Sequence, residues 1–182
     1  GAQFIDFDFS DLGLEDVDFS GTKLVGATFA EASLKAAVFE GANLSRVNFE
    51  GMDLKGVNFR GVNFERAMLC GANLSGAILD ESDLSGTNLA DTDLTEASLR
   101  GCCGEGPTFK GARLYSTEFS SAKIGHANFF DAEAQRVSFN EVILSGANFS
   151  SATIRECSFV GATIPEASFV GASFIGCTFD NC

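Results

Sequence analysis

Large apolar residues fall at almost every position whose number ends in 4 or 9, from Phe4, Phe9 and Leu14 through to Phe179. Of these 36 positions 17 are Phe, 14 Leu and 3 Ile; only Gly104 and Ala134 break the series, and the frame never slips. Two residues before each centre stands a small or modest apolar residue, mostly Ala or Val. Asn or Asp often fills the place between, as in Ala42-Asn43-Leu44, and Gly is frequent two residues after the centre. A period of five suits neither standard element. On an α-helix, five steps of about 100° swing the next large residue by about 140°, so no apolar face forms. On an extended strand, odd spacing puts successive large residues on opposite faces. The chain must therefore turn a corner in every pentad, and the glycines near the corners supply the backbone freedom that such turning requires.

Every fourth centre forms a column. The column from Phe9 in steps of twenty is Phe except for Leu69 and Leu89, and the column from Phe19 is Phe except for Leu79 and Leu99. The other two columns hold mostly Leu or Ile. This alternation requires an even number of pentads per coil. A chain that is 45% hydrophobic, with 2 Pro and no Trp, is too apolar for disorder, and its 20 Gly argue against long helices.

The repeat Ala42-Asn43-Leu44, Ala72-Asn73-Leu74, Ala147-Asn148-Phe149 resembles that of the pentapeptide-repeat family: a small residue, Asp or Asn, Leu or Phe, then two variable residues. The resemblance runs over residues 2 to 181. It implies an all-β solenoid, a right-handed quadrilateral β-helix with four pentapeptides per coil and the centre and small residues pointing inward. One domain, residues 1–182, of about nine coils at about 4.8 Å per coil would be about 43 Å long. The coils at both ends would leave Phe4 and Phe179 on unpaired edges, so an end-to-end homodimer or a flanking segment is expected. Gly104 and Ala134 each remove a large side chain from a column, which predicts the weakest wall there. Around Gly104, residues 101–107 either continue the wall in line or loop out of it; the Phe columns keep parity across them, which favours the in-line course.

Little points to catalysis. His126 is the single histidine and falls at an outward position, which excludes sites built on two His ligands. The six cysteines contain no C-x-x-C pair, so neither a metal site nor a cofactor is expected. Cys157 and Cys177 lie one coil apart in the same inward column, within disulfide range on a four-pentad coil, yet thiols standing in for alanine are the expected state. No stretch approaches 18 uninterrupted apolar residues, so no membrane span is expected. The compartment is weakly constrained, with the cytoplasm slightly favoured.

Charge supplies the functional expectation. With 25 acidic against 12 basic residues the net charge is −13, which disfavours direct contact with nucleic acid or an anionic membrane. Between residues 67 and 99 stand Asp80, Glu81, Asp83, Asp91, Asp93 and Glu96 with no basic residue. These six are the candidate protein-docking residues of a non-catalytic structural or interaction module that offers flat, partly acidic faces to a protein partner. The resemblance implies an alternative, a DNA mimic that binds type II topoisomerase, as in the quinolone-resistance group. Duplex DNA of the same length would carry roughly 25 charges, about twice what this chain has.

Overall fold

The computed structural model describes residues 1–182 as an all-β solenoid without a helix. Parallel pairing joins the residue before each centre to the one twenty positions later, from Gln3 with Lys23 to Ser158 with Thr178 and with Ser33 and Asp53 as the one exception, so four pentads complete each turn. The four faces are named here by their first centres: Phe4, Phe9, Leu14 and Phe19, in chain order. Six three-residue strands stand out from the otherwise single bridges: β1 Cys103–Glu105, β2 Arg113–Tyr115, β3 Lys123–Gly125, β4 Glu133–Gln135, β5 Thr153–Arg155 and β6 Ser173–Ile175. Strands β1 and β3 pair on the Phe4 face, and β2-β4-β5-β6 form a four-stranded parallel sheet on the Leu14 face. The pairing of Asp83 with Cys103 and of Cys103 with Lys123 carries residues 101–107 along the wall in line.

Each pentad position has its own physical reason. The residue two after every centre has positive φ, as at Gly26 (66°), Ala36 (59°) and Ser116 (55°). At Leu24–Ala27, the Ala27 N–H donates to the Leu24 carbonyl at 3.0 Å across such a corner, a turn whose third residue must adopt a left-handed backbone. The Asn or Asp before the centre accepts the N–H two residues on, as from Ser45 to Asn43 Oδ1 at 3.0 Å, which satisfies an amide that the ladder leaves over. The inward Ser82, Thr87, Thr92 and Thr117 replace alanine because each hydroxyl donates to a main-chain carbonyl, and no buried polar side-chain atom lacks a partner.

Centres from Phe9 to Phe159, apart from the half-buried Leu14 and Gly104, line one continuous core. Phe rings stack coil on coil, for example Phe129 on Phe149 with centroids 4.6 Å apart and planes 5° apart. The two Phe faces meet edge to face across the interior, as Phe139 does Phe149 at 5.8 Å and 90°. At both ends the apolar surface is open: Phe7 is 48% and Phe179 41% exposed.

Gly104 corrects the expectation of an empty slot. A Cβ there would lie 2.6 Å from the Ser85 nitrogen and 2.7 Å from the Leu84 carbonyl carbon, so the main chain itself occupies the space a side chain would need. The ladder is also intact at both irregular centres: Leu84 N–H reaches the Cys103 carbonyl at 2.7 Å, and Thr153 N–H the Ala132 carbonyl at 2.9 Å.

Candidate protein-docking surface

The twenty-residue register fixes where each acidic side chain stands. Asp80 and Glu81 lie at the corner between the Phe19 and Phe4 faces, and Asp83 lies on the Phe4 face. Asp91 lies at the corner that opens the Leu14 face, Asp93 on that face, and Glu96 at its closing corner. The residues that are contiguous in sequence thus divide into two groups of three on opposite sides of the rod.

Their partners divide them further. Glu81 pairs with Arg60 at 2.7 Å and Asp93 with Arg113 at 2.5 Å, each on a neighbouring coil. Asp80 accepts the Ser98 hydroxyl at 2.5 Å and the Arg100 N–H at 2.9 Å, which ties it into the wall. Asp83 accepts both the N–H and the hydroxyl of Ser85, at 2.9 and 2.6 Å. Partial burial works to raise the Asp93 pKa, but the Thr95 hydroxyl and N–H, with Arg113, outweigh it and hold the carboxyl below the usual aspartate range. Asp91 and Glu96 have no ion-pair partner. Both occupy left-handed corner positions, with φ of 56° and 59°, so the backbone turns them outward at fixed sites.

Asp91 belongs to a row that a linear scan of charge misses. Its equivalents on other coils include Asp11, Glu31 and Asp131, the remainder of this corner row is Gly or Ser, and no basic residue occurs in it. The signal becomes visible only when corner residues are compared in steps of twenty. The lone histidine, His126, lies 3.4 Å from Glu105 with both side chains exposed. No group of three His, Cys, Asp or Glu residues is placed to hold a metal ion, and no helix is long and apolar enough to cross a membrane. All six cysteines are thiols, with Cys102 and Cys157 buried and Cys177 partly so.

This four-sided coil with its inward centres defines a class, and comparison with known families agrees with it. Residues 1–69 match a pentapeptide repeat region, 53–86 and 79–103 match pentapeptide repeats of eight copies, and 139–182 match pentapeptide repeats of nine copies. The chain belongs to the pentapeptide-repeat family. Among solved structures it is similar to HetL from the cyanobacterium Nostoc sp. strain PCC 7120, a pentapeptide-repeat protein involved in heterocyst differentiation regulation. That likeness has 21% identity and a TM-score of 0.52 over 95% of this chain and 88% of HetL. It is also similar to a trypsin-treated variant of QnrB1, a plasmid-mediated fluoroquinolone resistance protein, at 20% identity and TM-score 0.48 over 94% and 79% of the two chains. Rfr23 from the cyanobacterium Cyanothece 51142 matches at 21% identity and TM-score 0.27 over 79% and 91%. No match is found among curated proteins. At these identities the likeness establishes the fold alone.

Proposed function

We propose that this chain is a non-catalytic interaction rod, a right-handed quadrilateral β-helix of about nine coils, that docks a basic protein along the Leu14 face. The observation that carries the reading is the pair of unpaired carboxylates, Asp91 and Glu96, held at the two corners of that face. Asp93, between them, keeps its charge to lower pH but shares it with Arg113, so it orients the surface more than it attracts. The row of Asp11, Glu31, Asp91 and Asp131 extends the negative strip along the rod. The opposite group, Asp80, Glu81 and Asp83, is engaged by Arg60, Ser98 and Ser85 and forms a secondary contact surface. Such a surface raises association rates and weakens with salt.

Affinity capture from an extract of the source organism tests this reading, with wild type beside an Asp91→Asn, Glu96→Gln double variant and an Asp80→Asn, Asp83→Asn double variant. Capture of a basic protein, reduced by the first pair and by added salt, supports the docking surface. A partner retained equally by all three chains sinks it. A supercoiling assay with a type II topoisomerase addresses the DNA-mimic alternative, which inhibition or drug protection lost on these changes would favour.

A further inference from the structure

The ladder of main-chain hydrogen bonds between coils has one interruption. As a rule each centre donates its N–H to the residue nineteen positions on, and each residue before a centre donates to the residue twenty-one positions back. Between residues 31–36 and 50–55 these bonds are absent. Glu31, Leu34 and Ala36 do not donate to the coil above and Asp53 does not donate to the coil below, whereas the flanking pairs Thr28 with Asn48 and Val38 with Asn58 stay bridged. Ser33 and Asp53 are the one pair of the series that is not bridged, although Gly13 with Ser33 and Asp53 with Asn73 are. On the Phe4 face the same two coils stay joined through Leu24 to Asn43 at 2.8 Å and Gly26 to Ser45 at 2.9 Å; Phe39 to Asn58 at 2.9 Å closes the gap again on the Phe19 face.

Packing and shape follow the gap. Phe29 and Phe49, which span it, are tilted by 44°, whereas Phe9 and Phe29 are within 7° of parallel. Clefts of about 370 Å³, lined by Ser33, Lys35, Asp53 and Lys55, and of about 280 Å³, lined by Glu31, Glu50 and Met52, open along it.

The cause lies in the small inward position. Phe7 and Leu12 hold that position in the first coil and are 48% and 45% exposed although the next coil pairs with their backbone, so side chains there lean toward the preceding coil. In the coil of residues 42–61 the position is filled by Val47, Met52 and Val57 in succession, facing Ala27, Ala32 and Ala37 below. Val62, which continues this run, and the successive pair Val137 and Val142 leave the ladder closed, with Asn63 to Ala42 at 3.0 Å, Ser138 to Thr117 at 3.1 Å and Ile143 to Ala122 at 2.9 Å. Valines in succession are tolerated, but the longer Met52 between Val47 and Val57 overfills the space between two coils whose spacing is set by hydrogen bonds, and the bonds give way.

We propose that this boundary is a built-in joint, wedged open on the Leu14 face by Met52, with Val47 and Val57 beside it on the Phe9 and Phe19 faces, and hinged on the Phe4 face. Gaping there bends the rod toward the Phe4 side. Residues 1–37 move as one block, and the remaining coils as another.

Amide hydrogen exchange resolved by residue tests it. In the wild-type protein Glu31, Leu34, Ala36 and Asp53 should exchange at least tenfold faster than Gly51, Leu54, Gly56 and Asn73, their paired counterparts one coil later. Equal protection of the two sets overturns the joint. Met52→Ala should slow exchange at the first set at least tenfold and leave the denaturation midpoint unchanged or raised. Unchanged exchange, or a midpoint that falls as for any truncated core residue, overturns the wedge.

Discussion

Replacing Gly104 with alanine adds one methyl group at a centre where nearly every other pentad carries a large side chain. By the repeat pattern alone this would begin to refill a missing Leu. The surroundings predict the reverse. The new Cβ would stand 2.6 Å from the Ser85 nitrogen, 2.7 Å from the Leu84 carbonyl carbon and 3.1 Å from the Leu84 nitrogen, all main-chain atoms that cannot rotate away. Gly104 also has φ of 146°, which side-chain-bearing residues rarely adopt. Backbone strain of this kind costs about 1–3 kcal/mol, and forcing an atom into closed packing costs about 1–3 kcal/mol more. The expected loss is therefore about 2–6 kcal/mol, with Gly104→Leu worse than Gly104→Ala. Urea denaturation followed by circular dichroism measures it, through a lower midpoint at unchanged slope. An alanine variant within about 0.5 kcal/mol of wild type, or a leucine variant more stable than wild type, would refute the conclusion that the main chain fills this slot.

Corner residues should respond with opposite signs. Ser116→Gly, at φ 55°, should stabilise by about 1 kcal/mol, and Gly41→Ala, at φ 65°, should destabilise by about as much, each visible as a shift in thermal midpoint. Asp93 has a lowered pKa, so its folded-state carboxylate adds stability at neutral pH that is lost as pH falls below the ordinary aspartate value of 3.8 and through the depressed one; Asp93→Asn should flatten that part of a stability-against-pH curve. Burial pushes the Cys157 thiol up to about 11 and raises Cys102 further, so in the native protein both should alkylate far more slowly than exposed Cys182 when mass spectrometry follows iodoacetamide labelling. Equal labelling rates would show that the coils around them open freely.

The five-residue frame by itself determined a chain that turns a corner in every pentad, and the Phe and Leu columns determined an even number of pentads per turn; that four pentads return Phe9, Phe29 and Phe49 to one side is decided by the pairing of coils. Alternation of Phe and Leu columns revealed which faces carry the Phe centres. These features were legible because each is a local demand repeated in every pentad. Tertiary structure decided what depends on the neighbouring coil. Whether Gly104 is a hole or a close approach depends on where the Leu84 main chain runs, twenty residues away. The acidic residues from Asp80 to Glu96, adjacent in sequence, wrap around the rod and separate, while Asp91 aligns with Asp11, Glu31 and Asp131 through the register. Met52 is an acceptable inward residue in its own pentad; it breaks a ladder only because Val47 and Val57 flank it and the coil below is held at a fixed spacing that side chains of that size exceed.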